Sequence, residues 1–133
     1  MNELIIDEKR IEDMIYEIRG KQVMLDSDLT KLYCTETKRI NEAVKNNPEK
    51  FPERFSWILS DEESNYFLVE NFDQKKETRG GRFKNPRVFT EQGIAMLDTI
   101  LKTKVAVKVS IQIMDTFVEM HKYISTNLIE KKR

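Results

Sequence analysis

Lys38, Arg39, Asn41 and Lys45 fall close together in LDSDLTKLYCTETKRINEAVKNN, Leu25 to Asn47. These are the side-chain types that read duplex DNA. Arg and Lys bond guanine edges and phosphates, and Asn pairs with adenine. Thr37, beside them, can cap a helix or donate to a phosphate oxygen. A second basic group, Arg79, Arg82 and Lys84, lies in DQKKETRGGRFKNP (73–86), followed by Arg87. Gly80 and Gly81 permit a tight turn there, and the cations could reach phosphates or a minor groove. Phe83 reads as a packing anchor. Both patterns also fit a solvated helix and a solvated hairpin tip.

Other chemistry finds little footing. His121 is the only histidine, and no serine–acid pattern accompanies it. Cys34 is the only cysteine, sits at a helix junction and reads as a buried small hydrophobe. Asp61, Glu62 and Glu63 open a helix, where carboxylates favour the dipole. The Arg79-Gly80-Gly81 run is no phosphate-binding loop, because no Gly-Lys-Ser/Thr follows. Neither an enzyme nor a cofactor is expected. A disulfide within the chain and a Cys/His zinc site are excluded.

These groups need elements to hold them. The 133 residues make one domain's worth of chain, 39% hydrophobic and 35% charged. Lys plus Arg and Asp plus Glu are both 23, so no global basic field draws nucleic acid, and the electrostatic case is local. Residues 1–30 hold eight acidic and four basic side chains, whereas 71–90 hold six basic and two acidic. No apolar run spans a bilayer or forms a signal peptide, so a cytoplasmic protein without a membrane partner is expected.

Along the chain, 1–13 reads as a lead-in, 14–122 as the domain and 123–133 as a frayed tail. Residues 16–25 alternate about Gly20 and read as a β-hairpin. Asp26 or Ser27 caps a helix with Leu29, Leu32 and Tyr33 inward. Thr35 or Thr37 caps a second helix to about Asn46, with Ile40, Ala43 and Val44 inward and Lys38, Arg39, Asn41, Glu42 and Lys45 largely exposed. Residues 55–59 and 87–89 read as strands. Ser60 to Glu63 forms a capping box for a helix to about Asn71. Residues 90–101 form a capped helix with Ile94, Leu97 and Leu101 inward. A last helix runs from Lys104 to about Ser125. Val107, Ile111, Met114 and Val118 widen its apolar stripe beyond one small core.

The run IRGKQVMLDSDLTKLYCTETKRINEAVKNNPEKFPERFSWIL, with GGRFKNPRVFTEQGIAML further on, resembles the phage regulatory-protein domain related to KilA-N, in the branch named from phage open reading frame six. The likeness covers about residues 14–120. It implies a DNA-binding domain of phage and prophage regulators and antirepressors. In that family the Glu-Thr-Lys-Arg-x-Asn helix is the expected DNA contact, here Glu36, Thr37, Lys38, Arg39 and Asn41. Cys34 stands where the family pattern has a glycine, so that turn is expected to be built differently or to carry strain. With little chain after the matched region, a stand-alone domain or a piece of a longer protein is expected.

The combined expectation is a small α+β domain with a helix-turn-helix-like pair, short β-hairpins and a long C-terminal helix. Its expected partner is double-stranded DNA, contacted by Thr37, Lys38, Arg39, Asn41, Lys45, Arg79, Arg82 and Lys84. The apolar surplus of the last helix suggests a homodimer. The alternative is a protein-binding module for a repressor or another regulatory partner.

Overall fold

The computed structural model describes residues 8–71 and 85–131. After a short helix α1 (Glu8–Glu12), strands β1 (Ile15–Ile18) and β2 (Lys21–Leu25) pair antiparallel with Ile18 opposite Lys21. The two-residue connection sets that register. Arg19 and Gly20 both have positive φ, 58° and 72°, the backbone that matches the twist of a tight hairpin.

Two further strands complete an antiparallel sheet of order β1-β2-β4-β3, with β3 at Ser56–Ile58 and β4 at Arg87–Thr90. Side chains alternate across it, as the pleat requires. Met24 and Phe89 enter the main core with residues from the helices, while Val23, Leu25, Trp57, Leu59 and Val88 form a smaller cluster. Helices packed against an antiparallel sheet make this a small α+β domain.

Those helices are α2 (Asp26–Tyr33), α3 (Thr37–Asn46), α4 (Asp61–Asn71), α5 (Glu91–Leu101) and α6 (Lys104–Lys131), with a 3-10 turn at Pro48–Lys50. The capping box at α4 is present. Ser60 N–H donates to Glu63 Oε1 at 2.9 Å, and Glu63 N–H donates to Ser60 Oγ at 3.1 Å. Arg19 reaches it from the hairpin, its Nε donating to Glu63 Oε2 at 2.7 Å while its guanidinium lies 4.7 Å from the Trp57 ring. The hairpin tip is thus tied to the start of α4.

The start of α5 shows why its Phe-Thr-Glu-Gln-Gly sequence matters. Thr90 caps it by accepting from Gly93 N–H at 3.2 Å, and the Thr90 hydroxyl donates to Phe55 O at 3.1 Å. A Cβ at position 93 would run into that same carbonyl. Only glycine lets the first turn of α5 sit this close to the chain entering β3.

The last helix is longer than its sequence pattern predicts, reaching Lys131 and not ending near Ser125. Ala106, Val109, Ile113 and Phe117 face the core, while Val107, Ile111 and Val118 stay about half-exposed. Helix α2 also begins differently from expectation: neither Asp26 nor Ser27 is the cap, because Leu25 takes the N-cap position with no side-chain bond. Asp26 lies one residue inside the helix, and its carboxylate turns to other donors.

Candidate nucleic-acid interface

Three residues, Cys34, Thr35 and Glu36, join α2 to α3. Thr35 N–H donates to Thr30 O at 3.1 Å and Cys34 N–H to Lys31 O at 3.3 Å. That pair of bonds is the Schellman closure of a helix, with the residue in the left-handed region at C′. Cys34 fills that place, at φ 56° and ψ 47°. The turn therefore has the geometry a glycine would give, and the departure is absorbed as local backbone strain. Cys34 is exposed, which corrects the expectation of a buried hydrophobe: a C′ side chain projects away from the helix it closes.

Helix α3 is held from beneath by Ile40, Ala43 and Val44, all buried. Its sides are pinned by polar bonds. The Thr37 and Thr30 hydroxyls are 3.2 Å apart, linking the two helices. The Asn41 side-chain amide donates to the Asp26 carboxylate, which also receives Arg87 N–H at 3.4 Å. Burial pushes the Asp26 carboxyl upward despite those donors. Below them, the Tyr33 hydroxyl lies 3.0 Å from Ser110 Oγ, and burial raises Tyr33 to about 12. Asn47 ends α3 by donating its side-chain amide to Ala43 O at 2.9 Å, ahead of Pro48.

With the inward face fixed, the helical period of roughly 100° per residue distributes the rest. Lys38, Glu42 and Lys45 share the outward ridge and are exposed. Asn41 flanks that ridge on the α2 side and is half-buried, so it is less available than the lysines. Arg39 is exposed on the opposite flank, at the rim of a shallow cavity of about 250 Å³. Tyr33, Cys34 and Thr35 line one wall of it, and Leu101, Thr103 and Val105 the other. Thr37 is the first helical residue and not a cap; nor is Thr35. The N-cap is Glu36, whose side chain makes no cap bond.

The electrostatics of this end of α3 are unusual. Its first turn holds Lys38 and Arg39 and no acidic residue. Cations at a helix N-terminus oppose the dipole, by about 0.3–1 kcal/mol each at exposed positions. Glu36 at the N-cap sets one exposed carboxylate there, and a bound anion would offset the remaining positive charge.

Reasoning from sequence missed Lys102 and Lys104. The α5–α6 turn brings Thr103 to the same cavity as Arg39, and both lysines beside it are exposed. The visible signal was the Lys-Thr-Lys triplet, but nothing local said that it would neighbour α3.

Arg79, Arg82 and Lys84 lie outside the described residues. Arg87 opens β4, as the strand expected at 87–89 requires, but it is not the free phosphate-reaching cation it was grouped with: it is half-buried, its guanidinium donating to Ser56 Oγ at 3.0 Å. A place in the sheet next to a buried carboxylate explains why it is not free for solvent.

His121 has an acidic neighbour that its sequence context did not reveal: its Nε2 lies 3.0 Å from Glu91 Oε1, and its ring stacks on Phe117. Among the described residues no group of His, Cys, Asp and Glu is gathered to hold a metal ion. Among them, too, no helix is long and apolar enough to cross a membrane.

The architecture is thus a four-stranded sheet with a helix pair set on its core, the two helices joined by a three-residue turn and the second presenting exposed cations. The family model of the ORF6N domain matches residues 13–100, more than half of the chain, and the chain belongs to this family of phage-type regulatory domains. No curated protein and no solved structure matches it.

Proposed function

We propose that the chain is a DNA-binding domain of a phage-type transcriptional regulator or antirepressor, related to KilA-N domains. In this reading α3 meets the major groove. Lys38 and Lys45 contact phosphates or guanine edges along the ridge, Glu42 can accept from a cytosine amine, and Arg39 reaches from the flank. The amides of Thr37 and Lys38 at the start of α3 serve the phosphate backbone, and the Thr37 hydroxyl joins them by giving up its bond to Thr30. Asn41 has a double duty here: it orients α3 against Asp26, and it reaches an adenine only by giving up that bond. Lys102 and Lys104 add cations beside Arg39.

One observation carries the proposal. The exposed start of α3 gathers Lys38 and Arg39 with no acidic residue in its first turn and no side-chain cap. That arrangement weakens an isolated helix and suits one that receives phosphate. Selection of bound sites from a random duplex pool at two salt concentrations tests it. Enrichment of a common sequence, with retention falling steeply as salt rises, supports the reading; a pool that stays random at both salts removes it.

A second reading is a protein-binding module for a repressor. The exposed Val107, Ile111 and Val118 favour it, as does the zero net charge. Both surfaces can operate in one molecule, because they lie on different helices.

A further inference from the structure

Val107, Ile111, Met114 and Val118 recur along α6 at intervals of four, three and four residues. That is the 3.5-residue average of a coiled-coil seam. Val107, Ile111 and Val118 are 47%, 58% and 47% exposed, and Met114 is partly buried against the core. The residues α6 uses for its own core, Ala106, Val109, Ile113 and Phe117, form a separate stripe. Three of the four seam residues are thus left exposed after the domain has folded, and Met114 is shared with its core.

We propose that this seam is the contact between two copies of the chain, with their α6 helices antiparallel. Charge complementarity selects both the occupant and the direction. Setting Ile111 against Met114 of a second copy also sets Val107 against Val118, so four apolar layers stack about a two-fold axis. In that register Lys108 flanks Asp115 of the second copy, and Asp115 flanks Lys108 in return. Both side chains are exposed and on the same edge of the seam. The next layer outward on each side brings Lys104 toward His121, which already holds Glu91. A parallel pair would instead place Lys108 beside Thr103 and Asp115 beside Ser110. It matches no charges, and the Ser110 hydroxyl is already engaged with Tyr33.

Because α6 is anchored along its inner stripe, association need not first order a helix, the main cost that makes short coiled coils weak in isolation. The interface is small and calls for measurement over a wide concentration range.

Sedimentation equilibrium of the whole chain, from micromolar to submillimolar concentration, is the test. The wild type is expected to move from monomer to dimer across that range. Ile111→Glu, at an exposed position, should remain monomeric throughout with unchanged far-ultraviolet dichroism. Lys108→Glu and Asp115→Lys should each weaken dimerisation by about tenfold, since each turns two attractive pairs into repulsive ones. The double reversal Lys108→Glu/Asp115→Lys should restore it. A wild type that stays monomeric, or a double reversal as weak as the single variants, overturns the proposal. The DNA reading stands apart from this test: Lys38→Ala/Lys45→Ala should leave the dimer constant unchanged.

Discussion

Asn41 donates its side-chain amide to the carboxylate of Asp26, tying the residue best suited to read adenine to the helix in front of it. On the ridge next to it, Lys38 and Lys45 remain exposed. The orientation of α3 thus depends on a buried carboxylate, and the groups free to meet a ligand are cations.

Removing that donor should be felt most when Asp26 is charged. Asn41→Ala is expected to cost about 1.5–3 kcal/mol at neutral pH, the range for a hydrogen bond to a charged group. Burial already raises the Asp26 carboxyl above its ordinary value of 3.8, and loss of the amide raises it further. The gap between wild type and variant should therefore narrow as pH falls through the Asp26 titration. Chemical denaturation at several pH values checks this.

Glu63 runs the other way. The hydrogen bond from Arg19, ahead of every other contribution, holds its carboxyl below the ordinary value of 4.5. A lowered carboxyl contributes stability that is present above 4.5 and disappears as pH falls through the folded-state value. Glu63→Gln should lose that acid dependence. Asp26, being raised, is instead stabilising when protonated, a contribution full below 3.8 and lost as pH rises from there through its folded value. Comparing acid unfolding of Glu63→Gln and Asp26→Asn separates the two slopes.

Cys34→Gly should stabilise the protein by about 1 kcal/mol. The left-handed backbone at position 34 strains a residue bearing Cβ and suits glycine, although the greater freedom of glycine when unfolded offsets part of the gain. Thermal melting of the variant measures the difference. A lower melting temperature would show that the Cys34 side chain contributes packing worth more than the strain.

Gly93→Ala should destabilise by about 1–3 kcal/mol, the usual cost of overpacking. Its Cβ meets the Phe55 carbonyl, a backbone atom that already accepts from Thr90 N–H and hydroxyl. Urea unfolding gives the number.

The fold was legible where local signals were strong. The Arg19-Gly20 turn, the Ser60–Glu63 box, the Thr90 cap and the inward stripe of α3 each follow from rules that act within a few residues. Helix starts without side-chain caps, at Leu25 and Glu36, were misplaced because tertiary bonds took over the nearby Asp26 and Thr37 side chains. The site was legible in residue type and only partly in availability. The helical period puts Asn41 beside Lys38 and Lys45, but only folding reveals that Asp26 claims it. That Thr103, flanked by Lys102 and Lys104, shares a cavity with Arg39 was invisible, since more than fifty positions of chain separate them.

The most direct measurement is the salt dependence of duplex binding by the wild type and by Lys38→Ala/Arg39→Ala/Lys45→Ala, on the sequence enriched by selection. The substituted side chains are all exposed, so the variant should keep its fold by circular dichroism. Its affinity is expected to fall, and the slope of log affinity against log salt to become shallower by about 0.9 for each phosphate no longer neutralised. A folded variant with the affinity and slope of the wild type would contradict the placement of DNA on α3.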